Sequence, residues 1–410
     1  LFIESAAELG INKETLEATQ QSLKVKKDKE EQKEKLRKGL SKAFQLLKDG
    51  YPEEAIKYLE PELPKIKAID KEASFEGLLQ HGDSQQVFEE LQNEALQRGA
   101  GIGTNYELKL APDKEGDTLR LPTGAISVFA APTGHGKTAC LINLALQTVR
   151  QNKKVVFFSY EENREAITRR FINTEFGKEL SRNNQRTIEA FFQGDISYFS
   201  REAQATPEEF REYVLRFLKD YITSGLLNIR YSDYYTEQLV AAIEYLHEQG
   251  EAEAVFIDYM QLLRLEENTT SARYEELKEI CHKLKDVAVR TGIPIVIAAQ
   301  FNREVNNPMR MHPTKIGEAG DIERIASLIV GLWQNGGPAL VDTKEREDAQ
   351  ISEEREAWGI NEESTMQMKA LKNRYGVRGQ NFFSWNGNLG LIEPSPQAGS
   401  GGDINNPCNF

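Results

Sequence analysis

The chain has 410 residues, 39% hydrophobic and 28% charged, which is the profile of a soluble globular protein with room for two or three domains. No apolar run approaches the roughly 18 residues of a membrane span, and the start carries no signal-peptide pattern, although Leu1 in place of Met predicts a missing upstream part. The distant Cys140, Cys281 and Cys408 argue against a disulfide framework or a zinc site, and they predict a reducing, cytoplasmic location. The net charge of −13 speaks mildly against nucleic-acid binding, although basic loops in a narrow channel can dominate the local field.

Residues 1–74 are predicted to form a helical N-terminal region, because apolar side chains recur there at helical spacing. Gly50 ends one of these helices, and Pro52 begins the next. Residues 75–104 are predicted to form a linker helix and a linker, since a glycine-rich segment at 98–103 breaks the helical pattern.

Residues 105–393 show a different pattern, in which short, continuously apolar strands alternate with helical segments. This pattern predicts an α/β domain whose mostly parallel sheet is covered on both faces. The predicted strands are Ile126–Phe129, Val155–Phe158, Val255–Ile257, Ile295–Ile297 and Leu328–Val330. The acidic segment 336–365 is predicted to be a solvated insertion, the pieces after Met366 a hairpin at the sheet edge, and residues 394–410 a disordered tail.

A phosphate-binding loop is the most specific motif. It consists of Ala131, Pro132, Thr133, Gly134, His135, Gly136, Lys137 and Thr138. It follows a predicted strand and opens a predicted helix, which is the context that the motif requires. Its glycines let backbone N–H groups face phosphate oxygens, and the helix N-terminus adds partial positive charge. We therefore expect Lys137 to contact the β- and γ-phosphates of ATP, and Thr138 to place its hydroxyl on Mg²⁺.

Three polar side chains follow other predicted strands. Asp258 ends a buried strand, where it is expected to hold Mg²⁺ through water beside the phosphate loop. Glu161 follows a second strand and is our candidate for polarising the attacking water, with Glu162 as the alternative. Gln300 follows a third strand, where it is expected to hydrogen-bond the γ-phosphate and to move when that phosphate leaves.

These motifs together resemble the C-terminal ATPase domain of DnaB-family replicative helicases. The matching blocks are Ala131–Thr138, Ser159–Glu162, Ile257–Leu262, Gln300–Arg303, Glu318–Glu323 and Lys372–Gly376. The resemblance implies a RecA-like P-loop NTPase core that uses ATP and Mg²⁺. It also implies a homohexameric ring around single-stranded DNA, with a primase and a helicase loader as candidate partners and no membrane.

The resemblance also assigns roles to single residues. Glu161 would be the catalytic carboxylate, and Glu318 and Gly320 would contact single-stranded DNA. Lys372 and Arg374 would act on the nucleotide of the neighbouring subunit. An arginine there has a physical reason, because its planar guanidinium can stabilise negative charge that spreads over the γ-phosphoryl oxygens.

Two loops are candidates for the DNA contact. The loop after the Gln300 strand carries Arg303, Arg310 and Lys315 against Glu304, and in a RecA-like ring such loops line the central hole. Lysine and arginine there would track phosphates without reading sequence. The segment Arg264–Arg273 is the second candidate, although its own glutamates cancel its charge.

The sequence leaves three functions open. The first is an ATP-dependent replicative helicase that translocates on single-stranded DNA and unwinds duplex at the fork. The second is a RecA-like or clock-type (KaiC-like) DNA-dependent ATPase that does not unwind. The third is an assembly scaffold switched by nucleotide, against which Glu161 and Asp258 argue, because a pure switch needs no hydrolytic base.

Overall fold

A computed structural model describes residues 101–180, 185–266, 273–317, 322–335, 357–358 and 365–394. The chain divides into two compact units, Leu1–Glu89 and Glu90–Phe410, and every described residue belongs to the second. The predictions for the N-terminal helical region, the linker helix, most of the acidic insertion, residues 395–410, and Glu318 and Gly320 lie outside the described residues.

The described strands form one eleven-stranded sheet in the order β2-β1-β10-β9-β8-β3-β7-β6-β4-β5, with β11 paired to β10. Their bounds are β1 Ile102–Lys109, β2 Gly116–Leu121, β3 Ile126–Ala131, β4 Val155–Ser159, β5 Leu227–Tyr231, β6 Ala254–Asp258, β7 Ile295–Gln300, β8 Leu328–Asn335, β9 Thr365–Asn373, β10 Gln380–Asn386 and β11 Leu391–Pro394. The strands from β8 to β5 are parallel, and β4 and β6 are buried at every residue. The predicted α/β fold with a helix-covered parallel sheet is therefore confirmed.

Helices cover both faces of this sheet. They are α1 Lys137–Arg150, α2 Arg164–Leu180, α3 Gln185–Gln193, α4 Ile196–Glu202, α5 Pro207–Phe217, α6 Thr236–Glu248, α7 Arg273–Thr291 and α8 Ile322–Ile325, and a π-helical turn, Leu218–Thr223, follows α5. Helices α1 and α2 pack into one hydrophobic cluster, and α6 and α7 pack into a second cluster on the other face. Thr206 and Glu209 form a capping box that starts α5. None of the described helices is long and apolar enough to cross a bilayer.

The structure corrects the predicted edges of the domain. Strand β1 begins at Ile102, inside the range predicted as linker, and β2 was not predicted. Strand β9 begins at Thr365, the last residue of the predicted insertion, and β11 includes Pro394, the first residue of the predicted tail. The local pattern failed for β1 because its burial alternates along the strand, as expected for a strand with one exposed face.

The predicted position of the C-terminal hairpin was also wrong. Strands β9 and β10 do pair as an antiparallel hairpin, but β8 covers one side and β1 the other, so the hairpin lies inside the sheet. The path along the sheet ends in β2 and β5. The pairing of β1 with β10 joins residues about 270 positions apart, Lys109 with Gln380, and no local sequence signal predicts such a contact.

Candidate functional site

The phosphate loop lies between β3 and α1, at the carboxyl edge of the parallel strands. Gly134 and Gly136 both have a φ of 79°, a left-handed conformation that favours glycine. The Lys137 ammonium donates to the Pro132 carbonyl at 3.3 Å. Burial lowers the pKa of Lys137, and the nearby carboxylates of Asp258 and Glu161 oppose that shift. The loop therefore presents a cation and a curved backbone to one cavity.

Residues from β8 and β10 hold this loop. With its amide oriented to satisfy both contacts, Gln334 donates to the Gly134 carbonyl at 3.1 Å and accepts from the Trp385 indole at 2.9 Å. A Cβ atom on Gly136 would lie 2.9 Å from the terminal methyl of Met366 and 3.2 Å from the Trp385 ring, so a larger residue there would crowd both side chains. Nothing in the sequence pattern pointed to Gln334 or Trp385, because they are about 200 residues or more from the loop.

The predicted loop residue His135 packs inward. It is 1% exposed, and its ring centroid lies 4.4 Å from that of Trp333. Its Nδ1 accepts from the backbone N–H of Gln334 at 3.1 Å. Burial, aided by the charge of Lys137, lowers the pKa of His135 to about 4, so the ring is neutral at pH 7. His135 therefore contributes packing and not charge.

Asp258 and Thr138 lie side by side beneath the loop. Asp258 is 1% exposed, and the Thr138 side chain hydrogen-bonds its carboxylate. Burial raises the pKa of Asp258 to about 6, and the charge of Glu161 adds to that shift. The Oδ1 atom of Asp258 is buried without a hydrogen-bond partner among the described residues. A hydroxyl and an unsatisfied carboxylate oxygen are the oxygen ligands that Mg²⁺ takes, so these residues fit that ion.

The two adjacent glutamates after β4 differ in their surroundings. The Ser159 hydroxyl donates to the Glu162 carbonyl at 2.7 Å and accepts from the Glu162 N–H at 3.1 Å, which fixes the turn. The Glu162 carboxylate accepts from Arg170 at 2.9 and 2.5 Å. Both glutamates and Arg170 line the cavity that contains Lys137, but Glu161 is exposed there and pairs with no arginine among the described residues. The Glu162 carboxylate is therefore paired with Arg170, whereas the Glu161 carboxylate remains near Lys137 of the phosphate loop.

The cavity has a volume of about 380 Å³, within the range of small-molecule sites. One part of its wall is the segment Gly387–Gly390, which follows β10 and which sequence reasoning missed. Side chains of α1 and α2 donate hydrogen bonds to the backbone carbonyl groups of that segment. Asn143 donates to Gly390 at 2.6 Å, Asn173 to Asn388 at 2.8 Å, and Thr174 to Leu389 at 3.1 Å.

Gln300 connects the phosphate loop to the loop that follows β7. Its side-chain amide donates to the Thr133 hydroxyl at 2.8 Å. Its backbone N–H donates to the Gln261 side chain at 3.2 Å, and Gln261 in turn donates to the carbonyls of Gln300 and Gly317 at 3.3 and 3.4 Å. Gln261 was part of a matching block but was not predicted as a site residue. Movement of Gln300 would therefore alter hydrogen bonds at both ends of the loop that follows β7.

The candidate DNA loop after β7 is closed at its base. Its ends are joined by the Asn302 N–H to the Lys315 carbonyl and by the Gly317 N–H to the Gln300 carbonyl, both at 2.8 Å. Arg303 and Arg310 are exposed, whereas the Lys315 ammonium is paired with Glu304.

In the second candidate loop, residues 267–272 lie outside the described part of the chain. Its last residue, Arg273, donates to the carbonyls of Gln261 and Leu263 at 2.9 and 2.8 Å and pairs with Glu276 at 2.5 Å. Arg273 therefore holds the loop base and is not available to a DNA strand.

Lys372 and Arg374 lie near the amino ends of the parallel strands, whereas the phosphate loop lies at their carboxyl ends. In the paired register, Ser127 of β3 aligns with Leu328 of β8, which aligns with Asn373. Four residues of β3 separate that level from Ala131, roughly 13 Å at about 3.3 Å per residue. The structure therefore does not bring this basic pair to the phosphate loop of its own chain, and β9 is not the edge strand that we predicted.

A β-bulge determines on which face of the sheet the Lys372 side chain lies. Ile329 pairs with Lys372 while the next residue, Val330, pairs with Ala370, so Leu371 is the extra residue. The bulge turns Lys372 to the face on which Ile329 and Leu371 pack. There the Lys372 ammonium donates to the Glu323 carbonyl. On that side of the sheet too, Arg374 donates to the Arg324 carbonyl at 2.8 Å.

A glycine-rich phosphate loop between a central parallel strand and its helix, with a buried aspartate on β6, defines a P-loop nucleotide-binding protein with a RecA-like core. The chain matches the family described as DnaB-like helicase C terminal domain over residues 117–392. It therefore belongs to the family of DnaB-like helicases, and the resemblance inferred from its motifs is confirmed.

Curated relatives agree with this assignment. The chain is 26% identical over 272 residues to the replicative DNA helicase DnaB of Mycoplasma pneumoniae, covering 64% of this chain and 51% of the relative. It is 24% identical over 254 residues to the replicative DNA helicase DnaB of Helicobacter pylori, covering 61% and 47%. The chain thus spans about half the length of the curated relatives that it matches.

A solved structure shares the fold. It is described as the structure of a DnaB-like replicative helicase and its interactions with primase, and it aligns with a TM-score of 0.56 at 17% identity. The alignment covers 87% of this chain and 75% of that one. At this identity the likeness establishes the fold alone.

Proposed function

We propose that this chain is the ATPase motor of a replicative DNA helicase, which assembles as a homohexameric ring and moves along single-stranded DNA. The observation that carries the proposal is the position of Lys372 and Arg374. They lie at the amino ends of the parallel strands, away from the phosphate loop of their own chain, so we assign them to the nucleotide of a neighbour. A nucleotide site that needs a second subunit favours a ring-shaped ATPase over an enzyme that works as a single chain.

The proposed chemistry uses the residues of the cavity. The loop N–H groups and Lys137 hold the β- and γ-phosphates of ATP, and Thr138 and Asp258 would hold Mg²⁺. When bound, that ion neutralises charge on the phosphate oxygens. Glu161 takes the proton of the attacking water, because Glu162 is occupied by Arg170.

The proposed partners follow from the family. The DnaB-like relative of known structure is described with its interactions with primase, which supports a primase as a partner of the present chain. A helicase loader is the second candidate partner.

An unwinding assay on a forked duplex tests the proposed function. Strand displacement that requires both ATP and Mg²⁺ is the expected result. ATP turnover that single-stranded DNA stimulates, without displacement, would instead support a RecA-like or clock-type ATPase. Nucleotide-dependent assembly without DNA-stimulated turnover would support the scaffold.

Neutralising the loop after β7 should weaken single-stranded DNA binding independently of sequence. In the variant R303Q/R310Q/K315Q, the dependence of log affinity on log salt should flatten by about 0.7 for each DNA phosphate that the loop no longer neutralises. Lys315 is paired with Glu304, so we expect its share of the change in slope to be the smallest of the three. The measurement is a titration of labelled oligothymidylate at several salt concentrations, and an unaltered slope would remove this loop from the DNA path.

A mixed-ring experiment tests whether Arg374 acts on the neighbouring subunit. Arg374→Ala should bind ATP and assemble, yet hydrolyse poorly. When it is mixed with Lys137→Ala, some interfaces join an intact phosphate loop to an intact arginine, so ATP turnover should exceed the sum of the separate variants. Native mass spectrometry should first show that the rings are mixed. Mixed rings without any gain would argue against action on the neighbour.

A further inference from the structure

A second concave surface, which we call the basic cleft, lies on the sheet face that carries α6 and α7, and its volume is about 790 Å³. Strand β9 forms its floor, and α8 and residues 311–313 of the loop after β7 form its walls. Its charged lining residues are Glu323, Arg324, Lys369, Lys372 and Arg378. The cleft has four basic side chains and one acidic side chain, so it is locally positive although the net charge of the chain is −13.

Two features of the fold build this cleft. The bulge at Leu371 turns Lys372 to the same face as the cleft. Opposite Lys369 the partner residue is Gly331, where a Cβ atom would lie 2.9 Å from the sulfur of Met311. The absence of a side chain at Gly331 therefore lets the loop after β7 pack close to β9, so that the loop and the basic strand share one surface.

Three cations of the cleft, Lys369, Lys372 and Arg378, are not neutralised by a carboxylate among the described residues. Lys372 donates to a backbone carbonyl, that of Glu323, and not to a carboxylate. Burial lowers the pKa of Lys372, and the neighbouring Arg374 and Arg378 lower it further, while Glu323 opposes them. In the part of the chain that the structure describes, Lys369 and Arg378 form no salt bridge. An anion that enters the cleft would offset the repulsion between the Lys372 ammonium and the neighbouring guanidinium groups.

We propose that the basic cleft binds phosphate groups of single-stranded DNA, with Lys369 and Arg378 as contacts beyond the loop after β7. The inference rests on the proposed function. The cleft wall at 311–313 lies between Arg310 and Lys315 in the chain, so a strand held by the loop is within reach of the cleft. No Phe, Tyr or Trp is among the described residues that line the cleft, which favours contact with the phosphate backbone over stacking with bases.

The test is the variant K369Q/R378Q, titrated with labelled oligothymidylate at several salt concentrations. The slope of log affinity against log salt should fall by about 1.4, that is, by about 0.7 for each of two phosphate contacts. The matched control is R211Q/K219Q, which removes the same charge from exposed positions on α5 and the π-helical turn after it. The control should keep the wild-type slope, and thermal unfolding should show that both variants are folded.

A wild-type slope in K369Q/R378Q would overturn the inference. If that variant also showed reduced ATP turnover in the absence of DNA, the cleft would be assigned to the nucleotide of a neighbouring subunit. Failure of the wild-type protein to bind any oligothymidylate would be a different outcome, because it would refute the proposed function itself.

Discussion

Lys137→Ala is expected to lower ATP turnover by about 10²-fold or more, the reduction typical of removing a group that stabilises transition-state charge. The Lys137 ammonium lies within the cavity, in the field of Asp258 and Glu161. Since burial strips it of water, its interaction with a phosphate is stronger than that of a surface lysine. Phosphate release at saturating ATP, together with nucleotide affinity, measures the effect.

The matched control for this variant is Lys219→Ala, which removes a lysine from an exposed position outside the cavity. The control should turn over ATP at the wild-type rate. Thermal unfolding separates a damaged site from a damaged fold. Normal turnover by a folded Lys137→Ala protein would show that the nucleotide site has been assigned to the wrong loop.

Glu161→Gln is expected to leave ATP binding intact and to slow hydrolysis by about 10²- to 10⁴-fold, the range associated with removal of a general base. The amide has nearly the same shape as the carboxylate but cannot accept the proton of water. Because Glu161 is exposed to the cavity and holds no arginine among the described residues, its substitution should disturb the fold little. A fall in kcat with little change in nucleotide affinity is the expected signature.

Glu162→Gln is the internal comparison. Its carboxylate accepts two hydrogen bonds from Arg170, so the substitution weakens an ion pair, and a smaller effect on turnover is expected. Single-turnover kinetics and a nucleotide-binding titration on both variants distinguish the two glutamates. If Glu162→Gln loses hydrolysis and Glu161→Gln keeps it, the base lies one residue further along the chain.

The central part of this protein could be predicted because its signals are local. Ala131–Thr138 is a contiguous motif, so the residues that shape the loop are neighbours in sequence as well as in space. Asp258 and Gln300 each follow a short apolar run, and parallel strands bring their carboxyl ends to one edge. Strand ends and loop chemistry therefore predicted which side chains would meet, without knowledge of the strand order.

Only the tertiary structure decided the remaining features, because each depends on residues that local patterns do not connect. Gln334 and Trp385 hold the phosphate loop from strands far along the chain. The different surroundings of Glu161 and Glu162 depend on Arg170, which lies in the following helix and pairs with Glu162. A sequence pattern reports which face of a strand is apolar, but the order of strands and the position of a bulge are set by packing of the whole sheet. For that reason the internal position of the β9–β10 hairpin, and the position of Lys372 at the far end of the strands from its own phosphate loop, became visible only in the fold.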